Sequence, residues 1–273
     1  MGEVIDILRE TRRESFMPKL RIIGCSAGMP EPNIANSSYL VEYNRRSYLL
    51  DCGEGTSSAL LRLRVNYKNI RNVFISHGHP DHIAGLPVFI QMNHLVKRTA
   101  PLDIYLPQEL VEPVYENLYA YYLIPERLTF DWYLHPLKPN PVFREHNFSV
   151  NAFPNTHLES YSETIRKKKL SNKMQSYSFS VVTSKTKLVY SGDIESVDEL
   201  SGLLDGADVV LTEAVHIDTE ELVESIAQSN ARKLILTHMS ARDSREEKRI
   251  MKIGKKYGLE EVHIATEGKS YSY

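Results

Sequence analysis

Four side chains able to bind a metal ion, His77, His79, Asp81 and His82, fall within the six residues HGHPDH, directly after the apolar run NVFIS. Three of the ten histidines in the chain are spent there. A polar turn closing a buried strand accounts for one such residue, but packing gives no reason for four. Imidazole and carboxylate ligands suit zinc, manganese or iron. Alternate positions in a tight loop, His77 and His79, can turn toward one point, while the adjacent Asp81 and His82 serve a second. Two ions sharing a carboxylate fit that count, and about 3.5–4 Å apart they would hold a hydroxide and clamp an anionic substrate oxygen.

The elements that must position these groups are legible from apolar periodicity. KLRIIGC (19–25), SYLVEY (38–43), SYLLD (47–51), RNVFIS (71–76) and LDIYLP (102–107) read as strands. Helical spacing marks 55–65, 82–97 and 108–123. Residues 128–153 are strand-rich, and 175–182 with 187–193 read as a hairpin. The last third alternates: helix 195–204, strand 208–212, helix 218–229, strand 233–237, helix 243–257 and strand 261–266. Strands in series followed by strand–helix units imply an α/β fold of two packed sheets with helices outside. Residues 1–18 read as an N-terminal extension with a short helix, and 19–273 as a single domain.

On this layout the remaining chemistry-bearing residues fall at strand ends. Asp51 closes SYLLD, His157 follows FSVNAFP, Asp193 closes KLVYSGD and His238 follows KLILT. The carboxyl ends of strands are where open α/β sheets place their sites. His94, His135, His146 and His263 lack ligand neighbours and read as ordinary polar residues. Cys25 and Cys52 read as small apolar packing residues. The basic stretch TIRKKKLSNK (164–173) reads as an exposed loop near the rim, with Arg166, Lys167, Lys168 and Lys169 as candidate phosphate contacts.

Composition excludes several classes. With 42% hydrophobic and 25% charged residues the chain is an ordinary folded protein. A formal net charge of −2 gives no global attraction to nucleic acid or membrane, so an anionic substrate must be met locally. No apolar run approaches the ~18 residues of a membrane span. Two cysteines and no recognisable secretion signal lead to the expectation of a cytoplasmic protein without a disulfide framework.

The pattern His77-x-His79-x-Asp81-His82 resembles the signature of the metallo-β-lactamase superfamily, and LLDCGEGT, NTH, YSGD and LTHMS follow in the order of its other motifs. The resemblance covers roughly residues 19 to 268 and implies a four-layer αββα sandwich with two metal ions, usually zinc. It implies that His77, His79 and His157 bind the first ion and that Asp81, His82 and His238 bind the second. Asp193 would bridge them, Asp51 would orient a ligand imidazole, and Asp81 would also orient the bridging hydroxide that acts as nucleophile. Within the superfamily, DCGEGT, SAGMP and LILTHMSAR are most similar to the ribonuclease Z branch, which includes phosphodiesterases and arylsulfatases. Its catalytic histidine is matched by His216 in LTEAVH, with Glu213 behind it, which implies a general acid for the leaving oxygen. A small phosphodiester or RNA substrate and a homodimer follow from the same resemblance. The chain departs from the branch in having no long arm between His82 and His157. Pro32 and Ile34 also stand where basic residues would read a tRNA end. The expectation is therefore a phosphodiesterase. The alternatives are hydrolysis of a thioester, lactone or sulfate ester, tRNA 3′ processing proper, or a metal-bearing scaffold.

Overall fold

The computed structural model describes residues 17–138, 141–229, 231–239, 244–259 and 261–273. The expected helix within residues 1–16 lies outside them. The chain opens with β1 (Lys19–Gly24), β2 (Ser38–Tyr43) and β3 (Arg46–Leu50) in antiparallel series. Asn44 and Arg45 join β2 to β3 with φ of 49° and 62°, the left-handed pair that a tight hairpin requires. Then follow α1 (Thr56–Arg62), β4 (Ile70–Phe74), α2 (Pro80–Ile83), α3 (Leu86–Leu95), β5 (Leu102–Leu106), α4 (Val111–Ala120) and β6 (Trp132–Pro136). The second half runs β7 (Phe143–Glu145), β8 (Phe148–Asn155), α5 (Ser162–Lys168), β9 (Ser176–Thr183), β10 (Lys187–Tyr190) and β11 (Val209–Glu213). It ends with α6 (Thr219–Gln228), β12 (Lys233–Thr237), α7 (Ser244–Lys256), β13 (Glu261–Ile264) and β14 (Ser270–Ser272).

Two seven-stranded sheets result, in the orders β14-β1-β2-β3-β4-β5-β6 and β13-β12-β11-β10-β9-β8-β7. Side chains alternate across each strand, and here both faces are buried. Leu50, Phe74, Phe179, Tyr190 and Ile235 fill the space between the sheets. Leu49, Val73 and Ile104 face Phe89 and Ile90 on the first helical layer. Val210, Leu234 and Leu236 face Val223, Ile226 and Ile250 on the second. Three apolar layers between four structural ones make the αββα sandwich. No helix among the described residues is long and apolar enough to cross a membrane.

Local physics revises several expected boundaries. The helix expected over 82–97 is broken in two at Gly85. The Gly85 N–H donates to the Cys52 carbonyl at 2.9 Å, and Pro87 brings no N–H of its own. A Cβ at Gly85 would meet the Gly53 carbonyl oxygen at 2.1 Å, so only glycine permits this approach. The helix expected over 195–204 shrinks to a 3-10 turn, Val197–Leu200, capped by the Ser196 hydroxyl on Asp198. The basic stretch expected as a loop is helical through Lys168 and ends at Lys169 in a left-handed turn, φ 53°. Strand β14, three residues long, was not anticipated, and it pairs with β1.

Phe74 carries the inter-sheet layer: it is fully buried and stacks on Tyr105 with ring centroids 4.9 Å apart. Replacing it with alanine should cost roughly 3–5 kcal/mol in a urea unfolding experiment. A loss below about 1 kcal/mol would show that the layer closes over the cavity.

Candidate metal centre

The loop after β4 delivers the first four groups. Pro80 opens α2 with its fixed φ, and His79 just precedes it in extended conformation, so His77 and His79 leave the strand while Asp81 and His82 ride on the helical turn. Loops after β8, β10 and β12 bring in His157, Asp193 and His238. His77, His79, His157 and Asp193 form one group whose candidate ligand atoms lie within 4.8 Å of one another. Asp81, His82, Asp193 and His238 form a second on the same criterion. Asp193 belongs to both. Its Oδ1 is 3.3 Å from His82 Nε2, and its Oδ2 is 3.6 Å from both His157 Nε2 and His238 Nε2.

Behind these groups sits Asp51, fully buried at the end of β3. Its Oδ1 accepts the Ser76 N–H at 2.7 Å. Its Oδ2 accepts the Ser76 hydroxyl at 2.9 Å, the Tyr190 hydroxyl at 2.6 Å and His82 Nδ1 at 2.7 Å. Because the Ser76 hydroxyl hydrogen goes to Asp51, its oxygen accepts from His77 Nδ1 at 3.0 Å. Both histidines therefore present Nε2 to the cavity with their tautomers fixed from behind.

These contacts also test whether a metal fits. His77 Nε2 is buried and has no hydrogen-bond partner among the described residues, an arrangement that costs free energy unless something else fills the position. His79 Nδ1 and His157 Nε2 face each other at 3.3 Å. Burial pushes His77 well below the ordinary imidazole value, lowers His79, and takes His157 down to about 4. These rings are thus neutral and have lone pairs to give. Burial also disfavours the His82 cation, but Asp193 and Asp51 overcome it and hold the ring well above its ordinary value. Burial likewise opposes charge on Asp193, yet His82 drives its carboxyl well below the usual range. An imidazolium between two buried carboxylates supplies the positive charge that a metal ion would bring, and metal binding would release that proton. The donor set fits a divalent cation.

A third cluster flanks the centre. Glu213, at the end of β11, is fully buried. Its carboxylate accepts the backbone N–H groups of Ile194, Val215 and His216 at 3.0, 3.1 and 2.9 Å. It also accepts His216 Nδ1 at 2.8 Å. Those contacts leave Glu213 an anchor rather than a free ligand, although it lies within metal-binding range of His216 and His238. The Glu213 hydrogen bond raises the pKa of His216, whose half-exposed ring lies 5.1 Å from that of His157.

The structure thus brings Asp51, His77, His79, Asp81, His82, His157, Asp193, Glu213, His216 and His238 to one place. Arg166, Lys167, Lys168 and Lys169 stand exposed on and just after α5. Sequence reasoning missed Ser76, Tyr190 and Glu199. Glu199 accepts the Thr156 N–H at 2.8 Å and so holds the turn that presents His157. Adjacency to His77 and membership of YSGD were available signals for Ser76 and Tyr190. Glu199 had none, because its contact is made only in the folded chain.

Comparison with known proteins agrees with this architecture. A family model described as Anti-Pycsar protein Apyc1 matches residues 18–257. A ribonuclease Z of Ignicoccus hospitalis is 26% identical over 270 residues, covering 81% of this chain and 87% of that protein. The metallo-beta-lactamase fold protein YhfI of Bacillus subtilis superposes with a TM-score of 0.74 at 22% identity, over 94% of this chain and 100% of that one. Human tRNase Z, short form, gives a TM-score of 0.70 at 22% identity, over 93% and 98% of the two chains.

Removing the Tyr190 hydroxyl tests the support behind the ligands. Tyr190→Phe should weaken zinc binding to chelator-stripped protein on the order of tenfold, measured by competition with a chromophoric chelator. Unchanged affinity would mean that Ser76 suffices to hold Asp51.

Proposed function

The chain belongs to the Anti-Pycsar protein Apyc1 family and carries the metallo-β-lactamase fold, and from that membership we propose that it is a phosphodiesterase working with two divalent metal ions. The observation that carries the reading is the pair of ligand groups sharing Asp193, with a protonatable His216 held beside them by a buried carboxylate. His77, His79 and His157 would hold one ion, Asp81, His82 and His238 the other, and Asp193 both. Zinc suits this mixture of imidazole and carboxylate, and manganese or iron also fits. When bound, such ions supply Lewis acidity at the phosphoryl oxygens and a water acidic enough to serve as nucleophile near neutral pH.

The chain's own residues do the rest. Asp81 Oδ2 lies 2.9 Å from His238 Nε2, so that the two would meet at one ion, and Asp81 would also take a proton from the attacking water. Glu213 fixes the His216 tautomer with Nδ1 protonated and favours the imidazolium, so that Nε2 can give a proton to the leaving alkoxide. The exposed cations Arg166, Lys167, Lys168 and Lys169 draw an anionic substrate toward the rim by field alone. The resemblance to the same family also suggests a homodimer, and the buried thiols of Cys25 and Cys52 suit a cytoplasmic location. The ribonuclease Z relatives keep RNA among the candidate substrates. Against tRNA, the described residues between His82 and His157 are occupied by α3, β5, α4 and β6–β8, with no long arm.

Elemental analysis of protein purified without added metal should find about two equivalents of zinc or manganese, markedly reduced in His79→Ala. Metal content indifferent to the substitution would overturn the ligand assignment, and metal-loaded protein that cleaves no phosphodiester would overturn the function. The role of His216 has its own signature. His216→Ala should cost about 10²–10⁴-fold in kcat for a diester with an alkoxide leaving group, and far less when p-nitrophenolate departs. An equal loss on both substrates would show that His216 does not protonate the leaving oxygen.

A further inference from the structure

A cavity of about 270 Å³ opens directly beside the metal centre, with His79 forming part of its wall. Its other walls come from the segment after His157, chiefly Tyr161, Ile165, Leu170 and Met174, and from Leu110 at the start of α4. The Tyr161 ring meets the His79 ring edge-on at 5.9 Å. Tyr161 and Leu170 remain 49% and 50% exposed. Apolar surface is therefore left uncovered within contact of a candidate ligand, where a solvated loop would carry polar side chains.

The segment is pinned over the cavity. Glu109 Oε1 accepts the Gln175 N–H at 2.6 Å and its Oε2 accepts the Lys173 N–H, while the Glu109 N–H donates to Gln175 Oε1 at 3.0 Å. This reciprocal clamp ties the end of the 158–174 segment to the opposite wall. It also puts a carboxylate in the lining, where no lysine or arginine among the described residues stands to balance it. Arg166, Lys167 and Lys168 on the same short helix, and Lys169 just after it, do not line the cavity. Among the described residues, the wall's uncharged polar groups are the Thr164 and Tyr161 hydroxyls, the Asn172 amide and the His79 imidazole.

We infer that this cavity receives the substituent of the diester next to the scissile bond, and that it selects an uncharged, ring-sized group. The inference rests on the phosphodiesterase reading and adds the substrate class to it. Size supports one ring: a cavity of ~150 Å³ lined by apolar side chains admits benzene, and this one is somewhat larger. Charge excludes the alternative of a continuing polynucleotide strand, whose next phosphate would enter an apolar pocket against Glu109 without a cation. Tyr161 offers a face or edge to a planar ring. Asn172 and Thr164 offer single hydrogen bonds to its rim. Tyr161, Ile165, Leu170 and Met174 are then the specificity-determining residues of the site.

The test compares phenyl p-nitrophenyl phosphate with methyl p-nitrophenyl phosphate on the metal-loaded protein, so that the leaving group is constant and only the retained substituent changes. The phenyl ester should be favoured in kcat/KM on the order of tenfold or more. Leu170→Asp, at an exposed position where folding is not at stake, should bring the ratio toward one, and so should Ile165→Trp, which fills the space. Calorimetry provides a readout independent of turnover: phenylphosphonate should bind on the order of tenfold tighter than methylphosphonate to wild type, and equally to Leu170→Asp. Turnover of both esters with equal kcat/KM, or a ratio that neither variant moves, would overturn the pocket while leaving the phosphodiesterase reading intact. No turnover of either ester would overturn that reading. The phosphonate comparison would then decide by itself whether the cavity holds a ring.

Discussion

The Asp51 carboxylate, closed off from water, is the contact on which the site hangs. A buried anion is tolerated only where its lone pairs are met by donors, and Asp51 meets four: the Ser76 N–H and hydroxyl, the Tyr190 hydroxyl and His82 Nδ1. The donors come from different places. Asp51 and Ser76 close β3 and β4 in the first sheet, whereas Tyr190 closes β10 in the second. One carboxylate therefore ties the two sheets together at the edge where the ligands emerge. Burial first, and then the Asp51 charge, keeps the Tyr190 hydroxyl protonated and donating far above its ordinary range. Through Ser76 the same carboxylate sets the His77 tautomer without touching it.

The backbone is bent to serve this edge. Asp51 and His238 both adopt left-handed conformations, each with φ of 56°, and Gly192 does so at 59°. Such strain, of order 1 kcal/mol or more for a residue with a side chain, persists only where the surroundings over-determine it. Here they do: Asp51 is fixed by its donors. A Cβ at Gly192 would come within 2.8 Å of the Tyr177 carbonyl oxygen, so the turn before Asp193 is open to glycine alone. Strand ends that would otherwise continue upward are thus turned inward at three places around one cavity.

What the sequence discloses and what it withholds follow from where the information resides. HGHPDH is legible because its residue types have no packing use at that density, and strand ends are legible because apolar runs stop there. The break at Gly85 was not, because it depends on the Cys52 carbonyl contributed by a distant loop. Glu199 acts through Thr156, far away in the chain, and one of two adjacent acids in a short capped turn carries no mark of that contact. The basic stretch 164–173 misled in a different way. Its charge announced solvent exposure correctly, but SETIRKK is also composed of adequate helix formers, and the charges concealed Ile165, whose side chain lines the cavity.

That segment shows why net charge is a poor guide to what an active site accepts. The whole molecule is near neutral, at −2, so its far field does little to attract a diester. Three local fields divide the work. On the proposed function, the exposed cations of α5 would act over roughly a Debye length, about 8 Å at physiological salt, and attract any phosphate without distinguishing what is attached to it. The histidine–aspartate centre would bind the phosphoryl oxygens through the divalent cations that its donor set fits. The wall beside it, largely apolar but for His79, Thr164, Asn172, the Tyr161 hydroxyl and the clamped Glu109, would repel a second phosphate and desolvate a ring. On the proposed function, attraction and selection would fall to different side chains of the same seven-residue helix, with Arg166, Lys167 and Lys168 exposed and Ile165 lining the pocket. The Glu109 clamp on Lys173 and Gln175, together with Glu199 holding Thr156, fixes both ends of that segment, so Ile165 is held in the pocket wall while its charged neighbours stay exposed.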